Sequence, residues 1–458
     1  MSDGRANGEL LTVAPPDHDQ ALADFGGVGT MTLDQVRRLR TRAVISSAIG
    51  TTIEWYDFFL YGVAAATVFP RIFFPASDPF IGTLLSFSTF FVGFVARPIG
   101  AAVFGHFGDR IGRKALLVTT VLMMGVATTS IGLIPSYATI GIWGAVLLTI
   151  ARIFQGLALG GEWSGAVLMA GEWTDPKKRG FTTSFAQFGS PAGLLLANGA
   201  LLLMTAIMSE ASFLAWGWRL PFVASVVLVV IGLYIRVGVK ESPVFAKLKA
   251  MDSLQKAPIV EVFRSHWRTI VQTALLRTGQ QAPFYIFSTY IITYATTQMG
   301  YTRSLIFNFV MIQAVISMAW TPVVGRLSDR IGRRRMIVIG CVTMMIFPFI
   351  YFSLLDTGSV ALALLAIVIA LPIHDIQYAP QGVVITEAFP ASVRYSGSAL
   401  GAQLASITGG GPAPLIAVLL LNQFGTSTAI ATYISGCALI SLICILSLPE
   451  HAGDLDSR

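Results

Sequence analysis

Twelve apolar runs follow one another along the chain, separated by short polar connections. A helix crosses the hydrocarbon of a bilayer with about 20 apolar residues. The runs occupy approximately residues 43–74, 81–107, 115–134, 139–172, 180–208, 218–239, 269–297, 303–325, 336–355, 359–388, 394–421 and 427–448. The longest polar interruption, Lys240 to Arg268, contains Pro243 and Pro258 and separates six runs from six. The pattern predicts an all-α integral membrane protein with twelve transmembrane helices in two six-helix halves. Its expected divisions are a disordered tail over 1–42, a bundle over 43–240, a linker over 241–268, a second bundle over 269–448 and a short tail over 449–458.

Composition agrees: 54% of residues are hydrophobic and 12% charged, where a soluble domain carries about 25% charged residues. Mean hydropathy is +0.70. The net charge of +7 raises nucleic acid as a partner, but the positions of the charges argue against it. Basic residues gather in alternate connections: Gly108-Asp-Arg-Ile-Gly-Arg-Lys114, Asp175-Pro-Lys-Lys-Arg179, the 240–268 linker, Ser328-Asp-Arg-Ile-Gly-Arg-Arg-Arg335 and the turn at Arg394. The intervening turns carry little charge. The positive-inside rule places the basic connections in the cytoplasm, and the Arg37-Arg38-Leu39-Arg40-Thr41-Arg42 cluster fixes the N-terminal end there too. Both termini are expected on that side, in a multi-pass protein without a signal peptide. Cys341, Cys437 and Cys444 all lie in apolar runs and read as small hydrophobes.

The two halves repeat a signature. Gly105-His-Phe-Gly-Asp109-Arg110-Ile-Gly112-Arg113-Lys114 follows the second run, and Gly325-Arg-Leu-Ser-Asp329-Arg330-Ile-Gly332-Arg333-Arg334 follows the eighth. Repeats at half-chain spacing mark one large transporter architecture. Two copies of this loop among twelve spans resemble the major facilitator superfamily. More narrowly, Glu54-Trp-Tyr-Asp57-Phe, Ala96-Arg97-Pro98-Ile-Gly100, Gln155-Gly through Gly161-Glu162-Trp163, and Arg394-Tyr-Ser-Gly-Ser through Gly401 resemble the metabolite:proton symporter family. Its members carry shikimate, α-ketoglutarate, citrate, proline and betaine. The resemblance implies a monomeric transporter in the bacterial inner membrane. It implies no enzyme and no cofactor. It also implies that the paired loops latch the cytoplasmic gate through Asp109, Arg110, Arg113, Asp329, Arg330 and Arg333. The plainer reading of those residues is ordinary loop charge.

Charges inside spans are costly and point to function. Asp57, Arg97 and Arg152 fall near mid-span and at comparable depth, with Glu54 one turn nearer the cytoplasm. They read either as static helix-orienting pairs or as a proton-coupling system. Burial favours the protonated carboxyl, and a nearby arginine favours the carboxylate. An arginine that moves to an anionic substrate therefore leaves its acid to take up a proton. Arg152-Ile-Phe-Gln155 resembles the fourth-span arginine motif of proton–sugar symporters, which implies an Asp57–Arg152 couple with Arg97 as anchor for a substrate carboxylate. The swapped assignment stays open, and Glu54 is a possible relay.

Further candidate substrate ligands are Tyr56 and Gln155, then Arg277, Gln280, Gln281 and Tyr285 in the seventh run. The tenth run adds His374, Asp375, Tyr378 and Gln381. The adjacent glutamines resemble the hydroxyl-binding pair of sugar transporters. His374 and Asp375 read either as a satisfied structural pair or as cavity-facing groups. No Gly-x-x-x-x-Gly-Lys phosphate loop and no Cys/His metal spacing occurs in the sequence. The expected cargo is a small organic anion with protons. A hydroxylated monocarboxylate is the first expectation, a dicarboxylate the second and a zwitterionic osmolyte the third. An uncoupled facilitator or exporter is the alternative.

Overall fold

The computed structural model describes residues 32–75, 77–238, 241–251 and 257–448. The greater part of the expected N-terminal tail (1–31), the C-terminal tail (449–458) and linker residues 252–256 lie outside the described residues. The described regular structure is helical throughout.

The first half contains α1 (Leu33–Thr67), α2 (Pro79–Ile111), α3 (Arg113–Leu133), α4 (Trp143–Glu172), α5 (Arg179–Ile207) and α6 (Arg219–Val237). Two short helices, Pro243–Ala250 and Pro258–Ser265, lie in the linker. The second half contains α7 (Trp267–Tyr285, continuing to Thr297), α8 (Arg303–Ile331), α9 (Arg333–Leu355) and α10 (Val360–Glu387). It ends with α11 (Arg394–Ala405, continuing to Phe424) and α12 (Ser427–Ser447). The helix α1 starts ten residues before the expected end of the tail. Thr32 and Gln35 form a capping box, each side chain accepting from the other's backbone N–H at 3.2 and 2.9 Å. The basic cluster at 37–42 is therefore helical rather than part of a disordered tail.

Among the described residues, ten helices are long and apolar enough to cross a membrane, and α1 and α7 are not among them. These two are the first helices of their respective halves. Their polar residues lower the hydropathy: Glu54 and Asp57 in α1, and Arg277, Gln280 and Gln281 in α7. Both sets are buried in the protein, where polar groups at membrane depth are tolerated. Pro283 interrupts the hydrogen-bond ladder of α7, and a wider π turn follows over Ile286–Tyr290. A π turn also breaks α11 over Ser406–Gly410.

The halves meet where α5 packs on α8 and α2 packs on α11. Gly180 and Gly325 let the first pair approach: a Cβ on Gly325 would lie 2.6 Å from the Gly180 carbonyl oxygen. The repeated loops turn at Gly112 (φ 116°) and Gly332 (φ 108°), a region that only glycine occupies freely. Each turn presents an aspartate to a helix N-terminus in the opposite half. Asp329 accepts from the N–H groups of Gly180 and Phe181 at 2.9 and 2.8 Å. Asp109 accepts from the Ser396 N–H and hydroxyl at 2.9 and 2.7 Å. These N–H groups are the orphan donors of a helix start, where the helix dipole also favours a carboxylate.

Arg333 extends the second latch. It bonds Asp329, takes both oxygens of Glu387 at 2.9 and 3.0 Å, and donates to the Pro176 carbonyl across the interface. Arg113 is placed differently: it bonds Glu172 within its own half and Ser242 of the linker. Arg110 and Arg330 are exposed and join neither latch. The face carrying the repeated loops is therefore closed by two carboxylate caps and two arginines, Arg333 and, from the first half, Arg179, which lies 3.7 Å from Glu387.

A charge-assisted hydrogen bond contributes about 1.5–3 kcal/mol. Asp329→Asn therefore raises the alkylation rate of a cysteine placed by Ser184→Cys, beneath the latch, by roughly tenfold or more. An unchanged rate contradicts the latch.

Candidate functional site

Aromatic residues from α1, α2 and α7 form one layer across the middle of the molecule. Phe90 and Phe94 lie one turn apart on α2 and present both rings to Phe58, at centroid distances of 5.0 and 5.1 Å. Tyr285 of the opposite half closes on the same group, 5.6 Å from Phe58 and 5.0 Å from Phe94. Trp55 and Phe284 make a further contact between halves at 5.6 Å.

Three arginines lie against aromatic rings, two of them on this layer. The Arg97 guanidinium carbon is 4.2 Å from the Phe58 centroid and 4.4 Å from that of Phe94. Arg152 is 4.4 Å from Phe58, 4.4 Å from Tyr61 and 4.8 Å from Phe90. It thus sits about a turn farther from the loop face than Arg97, not at the same depth. Arg277 of α7 reaches across to Trp163 of α4, at 3.9 Å. All three are at most 3% exposed. No carboxylate oxygen comes within 4.0 Å of any of them among the described residues. Desolvated cation–π contacts contribute about 2 kcal/mol each. Burying an ion costs several kcal/mol. The rings therefore compensate the charges only in part.

The acids of α1 divide by helix geometry. Residue 58 faces the arginines, and residue 57 is turned about 100° away from it. Asp57 accordingly points toward Thr128 on α3. It is fully buried and neither oxygen has a hydrogen-bond donor. The structure does not bring Asp57 and Arg152 together. Glu54, one turn before Phe58 on the same face, lies in the electrostatic field of Arg97, Arg277, Arg236 and Glu162. Glu162 is held by Arg236 and accepts from the Thr120 hydroxyl at 2.7 Å. A cavity of about 10 Å³ lies among Glu54, Asp57, Thr120 and Glu162, roughly the room one water needs.

Other expected ligands divide into those near the arginines and those turned away. Gln155 accepts from Arg152 at 3.0 Å and donates to Thr128 at 2.7 Å, so it orients the arginine. Tyr56 donates to the Pro221 carbonyl on α6 and is turned from the site. Gln381 donates to the Leu276 carbonyl at 3.4 Å. His374 and Asp375 form a buried chain. Asp375 accepts from Ser317, Thr321 and His374 Nδ1 at 2.5, 3.2 and 3.0 Å. Nε2 lies 2.9 Å from the Gln280 side-chain amide nitrogen and 3.2 Å from the Gln280 backbone carbonyl oxygen, so it has a partner as donor or as acceptor. Of the two readings of this pair, the geometry is that of the satisfied one. The Tyr285 hydroxyl lies near all three arginines and that of Tyr378 near Arg277. The Oε1 atoms of Gln280 and Gln281 accept no hydrogen bond.

The sequence reading missed Trp163, the aromatic layer, and the pairing of Glu162 with Arg236. The Phe90/Phe94 spacing signals the layer. Arg236 looks like a cytoplasmic anchor by position, and only packing shows it turning inward.

The Major Facilitator Superfamily profile matches residues 47–414. The chain is 42% identical over 416 residues to the inner membrane metabolite transport protein YhjE of Escherichia coli K12, covering 90% of this chain and 94% of that protein. It is 39% identical over 423 residues to the shikimate transporter of the same organism, covering 91% and 96%. Its fold is similar to that of the proton:xylose symporter XylE bound to 6-bromo-6-deoxy-D-glucose. The TM-score is 0.74 at 18% identity, over 91% of this chain and 97% of that one.

Breaking a buried pair costs about 3–5 kcal/mol, because the partner stays buried with its charge. Glu162→Ala is therefore expected to lower the thermal unfolding midpoint in detergent clearly. The double variant Glu162→Gln with Arg236→Gln should recover most of the loss. Equal midpoints for the single and double variants contradict a charge pair.

Proposed function

The chain belongs to the major facilitator superfamily of membrane transporters, and from that premise we propose that it carries a small hydroxylated organic anion together with protons by alternating access. The observation that carries this reading is the set of three buried guanidiniums without carboxylate partners. A carboxylate substrate supplies the missing charge and accepts their free N–H groups as charge-assisted bonds. Gln280, Gln281, Tyr285 and Tyr378 stand beside it to bond hydroxyls.

The proton-carrying acid in this proposal is Glu54. It shares a helix face with Phe58, so anything that draws Arg97 or Arg277 away removes positive charge from beside it. Occupation of the site therefore shifts Glu54 further toward its protonated form. Asp57 lies across the small cavity and relays the proton toward Glu54, a reversal of the order expected from sequence. We place the loop face in the cytoplasm by its basic residues. The latched caps and buried arginines then correspond to a state closed on the cytoplasmic side.

The test is uptake of labelled shikimate and malate into proteoliposomes under an imposed pH gradient. Glu54→Gln should lower uphill accumulation by about tenfold or more while sparing exchange, since one carboxylate interaction of about 1.4 kcal/mol already shifts an equilibrium tenfold. Asp57→Asn should only slow uptake. Accumulation that ignores the gradient in the unmodified protein contradicts symport. Accumulation that survives Glu54→Gln but not Asp57→Asn moves the proton to Asp57.

A further inference from the structure

Away from the central site, a groove of about 370 Å³ opens between α1 and α5 at the end of the molecule that carries the repeated loops. Its walls are Arg40, Val44, Ile45 and Ala48 on α1 with Phe181 and Phe185 on α5. Ile45 and Phe181 are 50% and 39% exposed, so the groove faces outward. Positions 37, 40, 41, 44, 45 and 48 share one face of a helix. That face is graded along its length, with arginines in the first turns and aliphatic side chains below them. The stretch Leu33–Arg42 holds four arginines against the single acid Asp34, which lies 4.0 Å from Arg37. The facing helix repeats the gradient. Lys177 and Lys178 stand exposed just before its first residue, and the rings of Phe181 and Phe185 follow, 5.2 Å apart. The groove runs from Arg40 to Ile49. That is about 13 Å along the helix, where the hydrocarbon of one leaflet is about 15 Å deep.

From this double gradient we infer that the groove binds an anionic phospholipid, its phosphate among the basic residues and one acyl chain between α1 and α5. The positive-inside rule accounts for cations at this end of the spans. It does not account for their alignment above an apolar groove on two facing helices, which matches the lipid's own order of charged head and apolar tail. A second groove supplies the contrast. It lies between α3 and α4, holds about 820 Å³ and has no charged side chain in its lining, so it accepts an acyl chain whatever the headgroup. Phe181 ties the first groove to the gate: its ring is a wall of the groove, and its N–H donates to Asp329 at 2.8 Å. A seated chain holds that ring in place, and with it the N–H that the latch uses. The inference does not depend on which cargo the carrier takes.

The test is photo-cross-linking of the full-length protein in phosphatidylcholine bilayers. The probe is a trace of phosphatidylglycerol or phosphatidylcholine with a diazirine in one acyl chain, and peptide mapping locates the adducts. Phosphatidylglycerol should label residues 40–49 and 181–185 at least about fivefold more than phosphatidylcholine does, since one basic residue near an anionic headgroup is worth about that factor. Both probes should label the groove between α3 and α4 equally, and that labelling reports a folded protein. Arg37→Gln combined with Arg38→Gln and Arg40→Gln should bring the first groove down to the phosphatidylcholine level. Ala48→Phe should cut labelling there by both lipids. Where a variant loses the labelling between α3 and α4, the unmodified protein in 1 M salt takes its place. The screening length there falls to about 3 Å, and the preference for phosphatidylglycerol should shrink. Alkylation of the Ser184→Cys variant should be about fivefold slower in bilayers rich in phosphatidylglycerol than in phosphatidylcholine alone, the low end of couplings between sites. Equal labelling of the first groove by the two lipids overturns the site, as does a preference that survives both the arginine variant and high salt. No adducts in the groove overturn it too, and leave that face to a second copy of the chain. Equal alkylation rates in the two bilayers overturn the link to the latch.

Discussion

A guanidinium buried without a carboxylate is the constraint on which the rest of this structure depends. Three of them lie at the centre of the chain, each covered by aromatic faces. In a low-dielectric interior such charges are tolerated only when the surroundings hold them in place and a counter-charge is within reach. Here the surroundings are rings from α1, α2, α4 and α7, together with Gln155, which aims Arg152. The counter-charge is divided between Glu54 and, in the proposed reading, the substrate.

The two faces of the protein close by different physics. On the loop face, carboxylates cap helix starts and an arginine reaches a backbone carbonyl. Toward the other face, the halves meet through Phe58, Phe90, Phe94, Phe284 and Tyr285. Hydrogen-bonded caps are directional and made or broken as units. Aromatic contacts are worth about 0.5–1.5 kcal/mol beyond area burial and slide more gradually. Alternating access needs the two closures to exclude each other. In the proposed reading, the glycine-lined contacts of α5 with α8 and of α2 with α11 are the surfaces on which the halves rock.

Much of this was legible in the sequence because membranes impose simple rules. Run length gave the twelve spans, and the repeated Gly-x-x-x-Asp-Arg loop gave the two halves and the aspartates that cap α5 and α11. The same reading expected six latch residues. Arg110, Arg113 and Arg330 carry the motif but not the contact, because whether a loop arginine crosses to the other half depends on tertiary packing. The helical start of α1 was hidden in a charged segment until its capping box was seen in three dimensions. The pairing of Asp57 with Arg152 was inferred from depth alone. Depth ignores azimuth, and one residue of rotation separates Asp57 from the arginine face that Phe58 and Glu54 share.

The central claim is that anion binding at the arginines and proton binding at Glu54 are one event. Titration calorimetry of the purified carrier with malate, in two buffers of different ionisation enthalpy near pH 7, measures the protons taken up per anion bound. Net proton uptake is expected in the unmodified protein and none in Glu54→Gln, since drawing the arginines to the anion removes positive charge from beside the Glu54 carboxyl. Malate binding with no proton uptake by the unmodified protein would contradict it.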